Sequence, residues 1–574
     1  MGGFLLSRRE AGEDAVALER RLAPALAAFD RKGLRPGPRL LRDGFVLQLY
    51  GKLREAPAPV LDLPGGDFIA LTGTAVYRGR RGPEALRALH DDFLGGVDFT
   101  RELYGAYCAF VHHGGELQVF TDHAGYYPVY RDRDFRVLSS SFLATAALAG
   151  KRTVSAHEFY EYLFFGFFFH HRTLFEEVAL LDNRRIWRLT PELDSRSYAP
   201  DAGGHPAPLP FADQVAAIAD NLCDYFRILG GAFDGRFTTA LSGGYDSRLV
   251  LAVARKLGLR VDLYVYGSPG DADVRIARRV AEGESLALDH VDKDAFPEMP
   301  REDYPDHLGR QFHFFDAFKS FGVFDNGSDL ETRLRRTAST PLQVGGAGGE
   351  IYREIWNVSD RRIGIRDFVA TRYCHGDYSY CTDRFREERF HDALADKVRD
   401  ILQTDRDRMD RLQLEMLFPL LRNRFAAQNN AINNQVASAV LPFMEARFLD
   451  QSYRVPIAYK YFGRLEAALI HRLDPALAAY PSNYGPNFTA PPSAARRLKT
   501  LATMHLPLAV RRARRRRRAP AAPTPPYYLR RDYLAGIVDF ADPAVGEFVD
   551  LDRLHDPLRL SRALTVELLL SDRF

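Results

Sequence analysis

From Phe211 onward the sequence changes rhythm, and that change constrains the fold more than any other feature. A helical stretch, "FADQVAAIADNLCDYFRIL", leads to a short β-prone run, then to "SGGYDS", then to a second helical stretch. The strand "RVDLYVYG", the helix "DVRIARRVAEG" and the strand "ALDHVDKD" follow. Strands alternating with helices predict a parallel sheet covered on both faces. In such a sheet, ligands bind beyond the carboxyl ends of the strands. Ser242-Gly243-Gly244 stands at such an end and opens a helix. Two glycines let backbone and anion approach closely, and the helix adds its positive N-terminal end. Phosphate is the expected occupant, with Asp246 beside it as a Mg²⁺ ligand. No G-x4-G-K-[ST] occurs, which excludes the kinase-type phosphate loop. The plainer reading is a tight turn with Asp246-Ser247 as a helix cap.

The front of the chain reads differently. Residues 60 to 147 hold short apolar runs rich in β-formers ("DFIALTGTAVYRG", "YGAYCAFVHH", "GELQVFTDHAG", "RVLSSSF"), interrupted by the helical "PEALRALHDDF". "EVALLDNRRIWRLTPE" reads as a further hairpin, and the Gly/Pro-rich "PDAGGHPAPLP" (200 to 210) as a linker. From about 385 the pattern is mostly helical, and "PAAPTPP" marks a second boundary. There is no internal repeat. The expected domains are 1–199, 211–500 and a basic linker with C-terminal extension, 501–574; 574 residues suit two or three domains.

"LSGGYDSRLV" resembles the PP-loop of N-type ATP pyrophosphatases, and specifically of the asparagine synthetase family. "YGSPGDADVRIA" (Tyr266 to Ala277) and "VGGAGGE" (Val344 to Glu350) match two further family segments in the right order. The resemblance implies that ATP binds here and is broken between its α and β phosphates. The backbones of Ala240 and Tyr266 would hold adenine. Ser242, Gly243, Gly244 and Ser247 would hold pyrophosphate, and Gly345 and Gly346 would flank ribose and α-phosphate. Asp246 and Glu350 would be the catalytic Mg²⁺ ligands; Glu350 stands where the family usually has Asp. "LPFMEARFLDQSYRVP" (441 to 456) resembles a helix junction of the family. The stretch that should then carry a lysine, "YPSNYGPNF" (480 to 488), has none, so Lys499, Arg496 or Arg497 are the nearby substitutes. Ala347 also replaces an acidic residue.

The family's N-terminal glutaminase domain is an αββα sandwich, and "YGAYCAFVHHGGELQVFTDHAGYYPVYR" resembles two of its strands. Its chemistry is missing. The family uses Cys as residue 2 with its own α-amine as base. Here that position is Gly2, the Asn-Gly of the oxyanion hole reads Gly73-Thr74, and the first cysteine is Cys108. The expectation is a sandwich that keeps its fold and does not hydrolyse glutamine. β-Lactam synthetases and lasso-peptide cyclases are similar in layout.

The remaining features limit the function classes. The net charge is only +3, and the run Arg511 to Arg518 holds seven arginines, so the basicity is local. That run is read either as contacting an anionic partner (lipid, polysaccharide or RNA) or as a solvated, disordered charge run. The four cysteines lack C-x2-C spacing, which argues against zinc ribbons, thioredoxin motifs and a disulfide framework. The N-terminus reads as neither signal nor transit peptide, and "YLFFGFFF" (162 to 169) is too short to cross a bilayer. A soluble, cytoplasmic chain is expected, as a monomer or homodimer. His112-His113 and His170-His171 read as surface or edge residues. "RYCHGDYSYCTDRFREERF" (372 to 390) reads as a surface connection or a pocket lid.

The expected fold is therefore α/β plus α+β: an N-terminal Ntn-type αββα sandwich, then an adenine-nucleotide α-hydrolase-like (HUP/PP-loop) parallel-sheet domain with a helical C-terminal extension. The expected function is an asparagine synthase-like ATP-dependent carbon–nitrogen ligase. It would adenylate a small-molecule, peptide or saccharide carboxylate with release of pyrophosphate, then transfer it to ammonia or an amine. The rivals are asparagine synthesis from aspartate and ammonia, a PP-loop tRNA modifier (disfavoured by the absent cysteine pair), and a non-catalytic nucleotide-binding protein.

Overall fold

The computed structural model describes residues 2–10, 12–42, 44–55, 60–198, 208–374, 376–516 and 524–574, without the side chains of 422–425 and 515–516. The front third holds two six-stranded antiparallel sheets. One runs in the order β10 (Val178–Leu180), β8 (Tyr130–Asp132), β9 (Val137–Ser139), β1 (Gly3–Arg8), β3 (Phe45–Tyr50), β2 (Pro36–Arg42). The other runs β12 (Asp194–Ser197), β11 (Arg185–Thr190), β7 (Glu116–Thr121), β6 (Leu103–His113), β5 (Phe68–Tyr77), β4 (Leu61–Asp62).

Side-chain alternation builds four layers from these strands. Phe4, Leu6 and Leu47 of the first sheet meet Phe68, Phe110 and Val119 of the second. Leu5 and Val46 point the other way, against α1 (Ala15–Arg31) and α3 (Phe142–Leu148). Ile69, Val111 and Phe120 face α2 (Gly82–Leu94). With both faces covered, all six residues of β3 are buried.

Two readings of this region change. "EVALLDNRRIWRLTPE" is not a hairpin: β10 pairs with β8, whereas β11 pairs with β7 and β12, so the chain crosses between sheets there. Strands also precede residue 60. His112 is buried, not superficial: its ring stacks 5.4 Å from Phe68 and its Nδ1 lies 3.2 Å from Asp67, while His113, on the opposite face, is exposed.

The second half carries a five-stranded parallel sheet, β15 (Leu288–Val291), β14 (Arg260–Tyr266), β13 (Arg236–Ala240), β16 (Leu342–Val344), β19 (Ser438–Val440). Ile363–Gly364 (β17) and Arg408–Met409 (β18) form a separate two-stranded ladder. Helices α5 (Phe211–Ala232), α6 (Tyr245–Lys256) and α7 (Ala272–Gly283) fall where the 3.6-residue period predicts them. The chain enters at β13, builds outward to β15, then returns to β16 on the other side of β13. That reversal opens a crevice beyond the ends of β13 and β16.

Two rings of the segment 372–390 pack on the front part of the chain. Phe385 and Tyr378 lie 5.5 and 5.1 Å from the Phe164 ring of α4 (Ala156–Phe165), so the segment docks on the greasy "YLFFGFFF". The arginine run is helical over Leu508–Arg516, and Arg511 is buried, donating to the carbonyl of Asn357 (2.9 Å). Arg517 and Arg518, and linker residues 199–207, lie outside the described residues. Among the described residues, no helix is long and apolar enough to cross a membrane.

Candidate functional site

The crevice is lined by Leu241–Gly244 after β13 and Gly345–Glu350 after β16. Glycine is required where these loops meet other elements. A Cβ on Gly243 would stand 2.7 Å from Ile276 Cδ1 of α7 and 2.8 Å from Asn483 Cγ. A Cβ on Gly346 would stand 3.2 Å from the Ser247 amide nitrogen, and one on Gly349 would collide with Asp246 Oδ1. The second loop therefore lies directly against the first turn of α6.

The loop's backbone donors converge on acceptors. Ser242 N donates to Ser247 Oγ (3.1 Å), Gly244 N to Ser242 Oγ (3.2 Å), and Gly243 N to the carboxylate of Asp273 (2.7 Å). Asp273 also accepts from Asn483 Nδ2 (2.7 Å). A carboxylate oxygen thus already occupies the acceptor position on the Gly243 amide that a phosphate oxygen would take, beside a helix N-terminus. Asn483 belongs to the 480–488 stretch, and its amide donates to Gly243 O (3.0 Å), so that stretch does border the loop.

Sequence reasoning passed over one cation beside the loop. Arg353 Nη2 donates to both Asp246 oxygens, at 2.8 and 3.0 Å. Its Nε stands 2.8 Å from Glu466 Oε2, at an angle too poor for a hydrogen bond. Its guanidinium covers the rings of Tyr245 and Tyr484, 5.1 and 5.4 Å from their centres. Burial pushes the Asp246 carboxyl up to about 6, against the pull of Arg353 and with Glu350 adding repulsion. Burial pushes fully buried Glu466 well above the usual carboxylate range, with Asp246 and Glu350 repelling its charge and Arg353 attracting it. Burial works against the charge of Arg353, but Glu466, Asp246 and Glu350 together hold it protonated. Three carboxyl groups therefore surround one guanidinium.

Ala240 and Tyr266 end β13 and β14 on the same edge as the loop. Arg336 donates to Tyr266 Oη (3.3 Å), and Lys293 Nζ lies 4.5 Å from its ring centre. Gly345 N donates to Val440 O (2.9 Å), tying the second loop to β19. All the sequence-selected residues thus share this edge. Arg353, Glu466, Asp273 and Asn483 join them: Asp273 and Asn483 stand inside segments the sequence singled out, Arg353 lies three residues beyond Glu350, and Glu466 lies in no motif. Lys499 and Arg496 are exposed on the helix Ala494–His505, and Arg497 of that helix lines a separate cleft.

Asp246 and Glu350 suit Mg²⁺, which takes one or two carboxylates and completes its shell with phosphate and water oxygens. Among the described residues, no group of three or more His, Cys, Asp or Glu is arranged to hold a metal by protein ligands alone.

The front corner, where Gly2 and Gly73-Thr74 lie, is closed. Lys52 Nζ donates to Thr74 Oγ1 (3.1 Å) and Ser438 Oγ (2.9 Å) and lies 3.5 Å from Glu55. Thr74 Oγ1 donates to Asn434 Oδ1 (2.6 Å) and accepts from the Ala439 amide (3.0 Å). This cluster joins the sandwich to β19 and to the helix Arg411–Val436.

No family model matches this sequence, and no curated protein matches it. Two solved structures are similar over part of their length. The allosteric regulatory enzyme of purine biosynthesis is 10% identical with a TM-score of 0.24, over 50% of this chain and 64% of that one. Glutamine phosphoribosylpyrophosphate amidotransferase from B. subtilis, complexed with ADP and GMP, is 10% identical with a TM-score of 0.24, over 50% of this chain and 65% of that one. The chain spans less than two thirds of either, and at these values neither tells what it binds or does.

Proposed function

We propose that this chain is an ATP-dependent amide-bond-forming ligase of the asparagine synthase-like kind, an Ntn-type sandwich joined to a PP-loop domain. The observation that carries the reading is the Ser242–Gly244 turn. It ends the middle strand of a parallel sheet at the point where strand order reverses, against a helix N-terminus, with an amide already on an anionic oxygen. ATP is the substrate. The backbone of Ser242–Gly244 and the Ser247 hydroxyl bind its pyrophosphate end. Asp246 and Glu350 hold Mg²⁺, which neutralises the phosphates when bound. Ala240 and Tyr266 seat the adenine, and Gly345 and Gly346 let the second loop pass the ribose and α-phosphate. A carboxylate attacks the α-phosphorus, the α–β phosphoanhydride bond breaks, and pyrophosphate leaves with the electron pair. Ammonia or an amine then displaces AMP. Positioning and charge stabilisation supply the rate, and Arg353 takes the place of a lysine at the departing pyrophosphate. The use of ATP fits a cytoplasmic setting.

The test is ATP–pyrophosphate exchange by the full chain across a panel of carboxylates that includes aspartate. Exchange requiring Mg²⁺ and one carboxylate supports the ligase, and exchange with aspartate alone identifies asparagine synthesis. One observation favours a second reading, a non-catalytic nucleotide-binding protein: Arg353 already satisfies Asp246. ATP binding without exchange on any carboxylate selects it. Absence of both overturns the loop assignment.

A further inference from the structure

The helix Arg464–Leu473 has two working faces. Glu466 points inward to Arg353. Arg464, Ala467, Ala468 and His471 fall at i, i+3, i+4 and i+7 and line one side of a cleft of about 550 Å³. That volume suits a small organic ligand. The two alanines make a shallow floor, and the two basic residues stand about 10 Å apart along it, at 1.5 Å of rise per residue. Arg497 adds a third basic side chain from the helix Ala494–His505. Among the described residues, no Asp or Glu lines the cleft, and neither Arg497 nor His471 has an ion-pair partner. The walls are aromatic, with Tyr461, Phe462, Tyr484 and Phe488 among the lining residues.

The backbone is strained to build this wall. Phe462 has φ +59°, a left-handed conformation that a bulky aromatic adopts at a cost. Gly463 follows at φ +72°, and a Cβ there would press on the Tyr245 hydroxyl at 2.5 Å. Strained positions of this kind cluster at ligand clamps.

We infer that this cleft binds an organic anion that carries a ring. The aromatic walls stack on the ring, Arg464 and Arg497 neutralise its carboxylate, and His471 offers it a ring N–H. The ring is that of an aryl acid or of an acidic sugar, and both present an apolar face and a carboxylate. The inference stands apart from the nucleotide reading, because no residue assigned to phosphate or adenine lines the cleft.

The test uses the full chain without nucleotide, with calorimetry against phenylacetate and glucuronate and their neutral counterparts, 2-phenylethanol and methyl glucoside. One acid should bind and its neutral counterpart should not, and which acid binds identifies the ring. Arg464→Ala and Arg497→Ala should each weaken binding roughly tenfold, the scale of one lost charge-assisted contact. Ala468→Phe should abolish it by filling the floor, with thermal melting unchanged. Binding of neither acid, equal binding of a neutral counterpart, or unchanged affinity in Ala468→Phe overturns the inference.

Discussion

At the front corner Lys52 sits among Thr74, Ser438 and Glu55; at the loop after β13 Arg353 sits among Asp246, Glu466 and Glu350. Lys52 is buried and Arg353 largely so, and both join distant parts of the chain. In the first, Lys52, Thr74, Asn434 and Ser438 leave no buried polar atom unpaired. In the second, both Glu466 oxygens and Arg353 Nε lack a hydrogen bond, and two carboxyl groups are held above their ordinary range. A closed polar cluster rigidifies an interface, whereas leftover carboxyl oxygens and perturbed acids mark a place where something is expected to bind. The physics of the two corners, more than their composition, separates scaffold from site.

The largest effect expected from this contrast is at the loop. Asp246→Ala removes the carboxylate that Arg353 and the proposed Mg²⁺ both use. It should lower ATP–pyrophosphate exchange by at least about a hundredfold, the scale seen when one preorganised electrostatic contact is lost. Circular dichroism should be unchanged. Unaltered ATP affinity in the variant would remove Asp246 from the site.

How much of this was legible from the sequence depends on how local each feature is. The turn at Ser242–Gly244 and the acid at Asp246 lie within one strand-to-helix junction, so their spacing carries the signal. Parallel order was legible because βαβ units declare themselves in the alternation of periods. Glu466 was not legible. It occupies an ordinary position on an amphipathic helix, and only tertiary packing carries it to Arg353, 113 residues earlier in the chain. The false hairpin over β10 and β11 failed for the converse reason. Two β-prone runs around a turn look alike whether they pair with each other or pass between stacked sheets.

Breaking the closed corner should cost stability in place of chemistry. Lys52→Met leaves Glu55, Thr74 and Ser438 without their shared donor at the sandwich–β19 interface. Loss of one partner from a buried charged cluster costs about 3 kcal/mol or more. Urea unfolding should shift accordingly, while exchange measured below the transition persists. Exchange lost without any change in stability would make Lys52 part of the site.

A smaller effect should appear with pH at a second contact between sandwich and helices. Glu445 accepts from the Gly105 amide (3.0 Å) and the Tyr225 hydroxyl (2.9 Å). Burial pushes its carboxyl up to about 8, with Asp122 repelling and Arg447 attracting the charged form. The folded state therefore holds this proton more tightly than the unfolded state between about pH 4.5 and 8, and stability falls as pH rises through that window. Glu445→Gln keeps the acceptor but has no proton to lose. The variant should melt a few degrees above wild type at alkaline pH, and the gain should vanish toward pH 5. A pH-independent difference would place the cause elsewhere.

The smallest expected effect is none at all, and it sharpens the comparison most. Glutamine should not be hydrolysed by this chain, and Gly2→Cys should not restore hydrolysis. The reason is space and partners. The Gly2 amide donates to Tyr50 O (2.8 Å), and a Cβ at residue 2 would stand 2.8 Å from Gly51 O and 3.2 Å from Lys52 Cα. A contact at 2.8 Å to backbone oxygen forces the strand to shift, so a thiol placed there has no site prepared for it. No open donor awaits an oxyanion either, because the Thr74 hydroxyl is committed to Asn434 Oδ1. Gly73, at φ +86°, has no room for a side chain against Ala106 O and the Tyr127 ring. Glutamate release from glutamine should stay at background for wild type and for Gly2→Cys. Release by the variant alone would show that the corner opens in solution and that Lys52 is a movable plug; release by wild type would mean that a different nucleophile serves the sandwich.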